Sequence, residues 1–352
     1  MNKKRTVLVT AIGSFSAEAV IGGCRREGFR VVGCDIYPAE WVANSREVDA
    51  FYQAPYATDR DAYRAFLKEV CQKEQVEYLL PLTDVEVDAL HGWEDAKEAL
   101  GAVICMSGPE TIALCRDKEK LQQFLEERGI CRTIPGRRLS AVMGWAGEAA
   151  GDAAAGQGCR EAGENFRFPL VIKPRDGRSS QGLRIVEDLE ELAFVAGRLR
   201  DQADRYLVQE KIPGGVVTVD VIRDPERNFC GCMPRRELLR TLNGAGTSVQ
   251  VFRDETLEQQ CREIAAALDV RGCVNFEFIE QEGTGDFWFL ECNPRFSGGV
   301  VFSWMADYDM TRNHLRYFEG KLLEPMPYPI LTGIQYFARR YKAYWMKEEK
   351  NG

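Results

Sequence analysis

Cys273-Val274-Asn275-Phe276-Glu277-Phe278-Ile279-Glu280, followed by Phe287-Trp288-Phe289-Leu290-Glu291-Cys292-Asn293-Pro294-Arg295, is the stretch that decides the fold. Both halves are β-rich, and the polar, glycine-containing segment between them reads as the turn of a β-hairpin. Alternate side chains of an extended strand share a face, so Glu291, Asn293 and Arg295 point the same way. Antiparallel pairing across the turn can bring Glu277 onto that face. Two carboxylates and an amide oxygen are a hard donor set suited to Mg²⁺, which usually binds through one or two carboxylates plus substrate phosphates. Arg295 beside them can hold a phosphate or a developing oxyanion. Pro294 fixes the exit into Ser297-Gly298-Gly299. The same residue types also suit a solvated strand end.

Two segments upstream carry related signals. Phe168-Pro169-Leu170-Val171-Ile172-Lys173-Pro174 is an apolar strand with a lysine near its end, a costly place for a charge unless it meets an anion. The loop that follows, Arg175-Asp176-Gly177-Arg178-Ser179-Ser180-Gln181-Gly182, offers backbone N–H groups to phosphate oxygens. It is not a Walker A loop, and a strand-end lysine snorkelling to solvent is the plain alternative. Next, Tyr206-Leu207-Val208-Gln209-Glu210 runs into Lys211-Ile212-Pro213-Gly214-Gly215, an edge able to meet the exocyclic amine of adenine or simply a strand and its turn.

Towards the N-terminus, strands at Thr6–Thr10, Phe29–Asp35, Val76–Leu82 and Ala102–Met106 alternate with helical periodicity over 16–27, 59–73 and 85–100. That alternation predicts a parallel, doubly wound α/β sheet. Gly108 and Pro109 interrupt it, and a helix is expected over 110–128, closed by Gly129. The Ala/Gly-rich stretch 144–163 reads as a surface insertion. A helix is expected over 255–268. The tail beyond Tyr328 places Arg339, Arg340 and Lys342 beside Tyr341, Tyr344 and Trp345. It reads as cover for a domain seam, with a partner or membrane surface as the alternative.

The whole chain sets limits. Its 352 residues allow two or three packed units, and a net charge of −8 argues against a nucleic-acid partner. No apolar run is long enough for a membrane span, and the basic start is not followed by a signal-peptide core. The 12 cysteines are scattered, with Cys230 and Cys232 the closest pair, and there are only 2 histidines. That usage predicts reduced thiols in a cytoplasmic protein rather than disulfides or a zinc site.

Taken in order, the phosphate lysine, the strand-and-turn hinge and the Glu…Glu-x-Asn-Pro-Arg hairpin resemble the ATP-grasp ligases. The likeness covers nearly the whole chain and is strongest to the ATP-binding halves of the carbamoyl-phosphate synthase large subunit and their stand-alone relatives. The 14-residue separation of Glu277 and Glu291 fits that family's hairpin. Leu80-Pro81-Leu82-Thr83-Asp84 resembles part of its leading domain, and Arg116-Asp117-Lys118 the opening of its nucleotide fold.

The resemblance implies a Rossmann-like pre-ATP-grasp domain over 1–112, then a two-lobed α+β ATP-grasp fold with a small lobe and linker helix over 113–205 and a large lobe over 206–352. It implies that Lys118 and Lys173 contact ATP phosphates together with Ser179, Ser180 and Gly182. Glu210, Lys211 and Ile212 would form the adenine hinge. Glu277, Glu291 and Asn293 would hold Mg²⁺, with Mn²⁺ as a substitute, and Arg295 and Lys173 would act on the transferring phosphoryl group. Arg235 and Arg236 would face a small-molecule carboxylate or amine, and a homodimer is the assembly implied. In one respect the sequence departs from the pattern. Relatives place a ribose-binding glutamate after the hinge glycine, where this chain has Val216-Val217-Thr218-Val219-Asp220, which leaves Asp220 or a nearby loop as the replacement.

Two rival readings remain at this stage. Ala11-Ile12-Gly13 after the first strand, with Asp35 after the second, imitates a dinucleotide fingerprint, but only Gly13 fits the Gly-x-Gly-x-x-Gly spacing. Ser14-Phe15-Ser16 instead reads as a helix start able to take a small anion, which makes Ser14 a substrate-side candidate. The missing ribose glutamate supports a catalytically inactive ATP-binding module with a regulatory role.

Overall fold

The computed structural model describes residues 4–142, 167–178, 181–242, 244–327 and 333–347. Ser179, Ser180 and the 144–163 stretch therefore lie outside the described residues. The chain divides into two compact units. The first is Met1–Cys115, Val217–Glu277 and Cys292–Gly352, and the second is Arg116–Val216 with Phe278–Glu291.

The first unit opens with β1 (Thr6–Val9), α1 (Ala17–Arg26), β2 (Arg30–Asp35), β3 (Ala50–Gln53), α2 (Arg60–Glu74), β4 (Val76–Leu80), α3 (Asp84–Leu90), α4 (Ala96–Leu100), β5 (Val103–Ile104) and α5 (Pro109–Cys115). The sheet is parallel, in the order β3-β2-β1-β4-β5. All four residues of β1 are buried, as a central strand covered on both faces requires. The doubly wound sheet is thus present, with β3 as an edge strand that the sequence pattern does not announce.

Two expected helices are each broken in two. The 85–100 helix ends at Leu90, where Gly92 takes a left-handed turn (φ +68°), and α4 starts afresh at Ala96. The 110–128 helix stops at Cys115. Asp117 is extended and its carboxylate accepts from Glu119 N and Lys120 N, capping a new helix that belongs to the second unit.

That helix, α6 (Lys118–Glu127), leads into β6 (Gly136–Arg138), β7 (Leu170–Pro174), β8 (Arg184–Val186), α7 (Leu189–Arg198) and β9 (Tyr206–Glu210). The sheet order is β6-β9-β7-β8. Leu170, Ile172, Val186 and Val208 pack with Leu192 and Ala196 of α7 to form its core.

The remaining strands are β10 (Gly214–Asp224), β11 (Phe229–Arg240), β12 (Gly246–Val251), β13 (Gly272–Gln281), β14 (Phe287–Asn293) and β15 (Gln335–Ala338), in the sheet order β14-β13-β10-β11-β12-β15. Helices α8 (Glu255–Ala267), α9 (Val300–Met305) and α10 (Met310–Phe318) accompany them. The expected hairpin is β13 and β14, and each strand is divided between the units, after Glu277 and after Glu291. In the first unit, Val7, Val9 and Val20 share one core with Ile222, Met233, Val249, Val300 and Phe302. The tail lies within this unit: Lys347 pairs with Glu40 at 3.2 Å, and Arg46 stacks on Tyr344 and donates to the Trp345 carbonyl. Among the described residues no helix is long and apolar enough to cross a membrane.

His314 of α10 stands at the centre of this packing. Its Nδ1 accepts from Cys273 N at 2.8 Å, so Nε2 carries the proton and faces Cys105 O at 3.1 Å. Burial pushes its pKa down from 6.5 to about 4. The unfolded imidazole therefore takes up a proton that the folded one refuses, and stability falls as pH drops through that window. The loss is about 2 kcal/mol between pH 7 and pH 5. Urea midpoints at the two pH values check it, and His314→Asn should flatten the difference. The carboxyls held low by their arginine or tyrosine partners, such as Glu74, lose their contribution only below about 4.5.

Candidate functional site

The second unit gathers the lysine, the loop and one hairpin acid. The Asp117 cap sets the first turn of α6, which aims Lys118 Nζ at Gly177 O (2.6 Å) and at Glu291 Oε2 (3.2 Å). Lys118 and Glu291 side chains are 13% and 27% exposed, so the pair is half-shielded yet reachable. Arg175 clamps the loop to the helix, with Nη2 2.8 Å from Asp117 Oδ2 and 3.0 Å from Glu119 Oε2. Lys173 is half-buried on β7, on the face opposite the buried Ile172. Gly182 takes φ +74° beside Pro174, a conformation that suits glycine. At the end of β9, Glu210 Oε1 accepts from Arg167 N at 2.9 Å, and Lys211 N donates to Pro169 O at 3.0 Å. Ile212 is half-buried and Lys211 exposed.

The first unit holds the rest of the hairpin set. Glu277 Oε2 lies 3.2 Å from Arg240 Nη2. Asn293 Nδ2 lies 3.5 Å from both Glu277 Oε1 and Asn275 Oδ1. Arg295 Nη2 donates to Asn293 Oδ1 (3.2 Å) and to Asp84 Oδ2 (3.0 Å). Glu277, Asn293, Arg295 and Asp84 therefore form one polar chain, as period-two alternation anticipates for its strand members. Asp84 is positioned by a capping box: the Thr83 hydroxyl and the Glu86 carboxylate close the first turn of α3. Tyr63 and Thr83 hydrogen-bond the buried Glu86, whose carboxyl burial nonetheless pushes above its ordinary pKa. The sequence reading names neither Asp84 nor Arg240 as a site residue. The Leu80–Asp84 segment and the capping-box spacing of Thr83 and Glu86 are the sequence signals around Asp84.

The two basic residues of β11 have different surroundings. Arg235 is fully buried, pairing with Asp220 (2.7 Å) and Glu237 (3.1 Å) and donating to Ser297 Oγ (2.8 Å). A side chain at Gly299 would come within 2.8 Å of its Nε, so only glycine leaves it room. Ser303 Oγ donates to Asp220 Oδ2 at 2.6 Å. Asp220 is thus interior and committed, and is not available as the ribose replacement. Arg236 is half-buried, donating to Gln250 Oε1 at 2.9 Å and lying 3.8 Å from the Phe252 ring centre. Ser14 lies 3.2 Å from Ser16 Oγ just before α1. Asp35 accepts from Gly13 N and Tyr37 N, one bond on each carboxylate oxygen, which spends it on the loop rather than on a ribose.

Among the described residues no group of three or more His, Cys, Asp and Glu is gathered for a metal. The hairpin set has two acids and an amide, and a cation already stands beside each acid.

Residues 202–337 match the family model described as ATP-grasp in the biosynthetic pathway with Ter operon. The fold of the chain agrees with that of solved structures. One is the biotin carboxylase domain dimer of Hydrogenobacter thermophilus 2-oxoglutarate carboxylase, in complex with MgADP, ADP and bicarbonate. It gives a TM-score of 0.70 at 17% identity, over 92% of this chain and 72% of that one. In sequence the chain is 27% identical over 204 residues to the carbamoyl phosphate synthase large chain of Clostridium beijerinckii, across 55% of this chain and 17% of that protein. It is 26% identical over 347 residues to the N-terminal section of that large chain in Methanopyrus kandleri, across 92% of this chain and 56% of that protein. It therefore spans only a fraction of the length of these relatives.

Proposed function

We propose that the chain is an ATP- and Mg²⁺-dependent ligase that activates a small carboxylate as an acyl phosphate and passes the acyl group to an amine or another nucleophile. The observation that carries this reading is the polar chain Glu277–Asn293–Arg295–Asp84, together with the Lys118–Glu291 pair beside a backbone-rich loop. Two carboxylates and an amide oxygen are hard donors of the kind Mg²⁺ takes. Glu277, Glu291 and Asn293 would hold the ion, which supplies charge neutralisation on phosphate oxygens when bound.

In this reading Lys118, Lys173 and the 175–182 loop bind the ATP phosphates, and Glu210 to Ile212 take the adenine. A carboxylate oxygen of the substrate bonds to the γ-phosphorus as the bond to ADP breaks, and Arg295 stabilises the oxygens of the transferring group. The nucleophile then bonds to the acyl carbon and loses a proton as phosphate departs. Asp84 orients Arg295, and buried Arg235 braces the 297–299 loop rather than touching substrate.

Lys118→Met tests the nucleotide half. A charge-assisted hydrogen bond contributes about 1.5–3 kcal/mol, so Mg·ATP should bind roughly 10–100-fold more weakly in calorimetric titration. Unchanged affinity would remove Lys118 from the phosphates.

A further inference from the structure

We propose that the first unit carries a second small-molecule site, at the entry end of β13, which takes a free α-amino acid with a large apolar side chain. This goes beyond the ligase reading and stands independently of it.

The site is a cavity of about 470 Å³. Met106, just past β5, and Tyr317 and Phe318, at the end of α10, give it half-buried apolar walls. Glu226 and Arg227, in the turn between β10 and β11, and Arg271, just before β13, bring charge to its exposed rim. At ~3.3 Å per residue, Arg271 stands roughly 20 Å along the strand from Glu277. The walls are held in place. Phe318 lies against His314 and edge-on to Tyr317, with ring centres 4.9 Å apart in both pairs. Arg227 is spent on the frame, with Nη1 2.7 Å from Asp224 Oδ2 and Nη2 donating to Gly320 O at 2.7 Å. Ser107 Oγ donates to Arg271 O and accepts from Arg271 N, both at 3.1 Å, which ties the start of β13 to the loop after β5.

Two rim charges of opposite sign are only partly used. Arg271 places Nε and Nη2 on Asp269 Oδ2, at 3.2 and 3.1 Å, and its Nη1 has no hydrogen-bond partner among the described residues. Glu226 accepts from the Tyr317 hydroxyl on Oε1 at 3.3 Å, and its Oε2 has no hydrogen-bond partner among the described residues. The two side chains are near enough to act on each other through space. Burial and the Glu226 charge push the Tyr317 phenol up to about 12, so its hydroxyl stays a donor that orients the carboxylate. A guanidinium and a carboxylate on the rim of one apolar cavity match the carboxylate and ammonium of an amino acid, each through a charge-assisted hydrogen bond. The apolar walls match its side chain. A purely anionic ligand is repelled by Glu226 and a purely cationic one by Arg271, so the rim selects the zwitterion.

The test is a calorimetric titration of the intact protein with L-phenylalanine, 3-phenylpropionate and phenethylamine, for wild type, Glu226→Gln and Arg271→Gln. Wild type should bind L-phenylalanine at a single site, and each analogue lacking one charge should bind roughly 10-fold more weakly or worse. Glu226→Gln should weaken L-phenylalanine by a similar factor and cease to discriminate against 3-phenylpropionate. Arg271→Gln should do the same for phenethylamine. Both variants should melt with wild type, because both side chains are exposed and their surface contacts contribute little. Mg·ATP should leave the L-phenylalanine titration unchanged. No binding of L-phenylalanine by wild type, equal binding of either analogue, or affinity unchanged in both variants overturns the inference. Displacement by Mg·ATP overturns it too, since it places the amino acid at the nucleotide site.

Discussion

Glu291→Ala should lose on the order of 10³-fold in ADP release, because a metal-holding carboxylate supports several kcal/mol of transition-state stabilisation. Its fold should survive. Glu291 lies near the end of a strand, is 27% exposed, and pairs with Lys118, itself 13% exposed. A pair so close to water contributes about 1 kcal/mol or less. Steady-state ADP production and a urea midpoint, measured on one preparation, separate the two effects. An alanine variant that turns over normally would remove Glu291 from the metal, and one that unfolds would make the residue structural.

Arg235→Ala is expected to act on stability instead. Arg235 is 1% exposed, and its partners Asp220 and Glu237 are 0% and 2% exposed, so removing the cation strands two acids in the interior. Breaking such a pair costs about 3–5 kcal/mol. Adding Asp220→Asn should recover part of that loss, since one of the stranded charges is then absent. Denaturant unfolding of both variants checks the ordering. A single variant within 0.5 kcal/mol or so of wild type would show that the network is dispensable.

The hairpin and the parallel sheet were legible because both rest on short-range periodicity. Alternation along β14 places Glu291 and Asn293 on one face, and the run of apolar residues in β1 declares a strand covered on both sides. Helix breaks were harder to read. Asp117 looks like an ordinary helical residue until its carboxylate is seen capping α6, and Gly92 ends α3 by a left-handed turn that a 16-residue apolar pattern conceals. Contacts between residues far apart in sequence gave no local signal. Arg295 meets Asp84 across 211 residues, and Arg235 meets Ser297 across 62. The resemblance turns Arg235 toward substrate, yet its side chain is buried against Asp220. Arg339 reads as part of an aromatic-basic seam, and its half-buried place beside Phe15 and Phe302 distinguishes it from the exposed Arg340.

The most direct measurement is the nucleotide product formed from Mg·ATP when the protein is offered pooled carboxylates together with pooled amines. Carboxylate-dependent release of ADP and phosphate, absent without Mg²⁺, is the predicted result. Release of AMP and pyrophosphate, or firm Mg·ATP binding with no carboxylate-dependent turnover, would contradict the acyl-phosphate account. The first of these would make the chain an adenylating enzyme, the second a nucleotide-binding regulator.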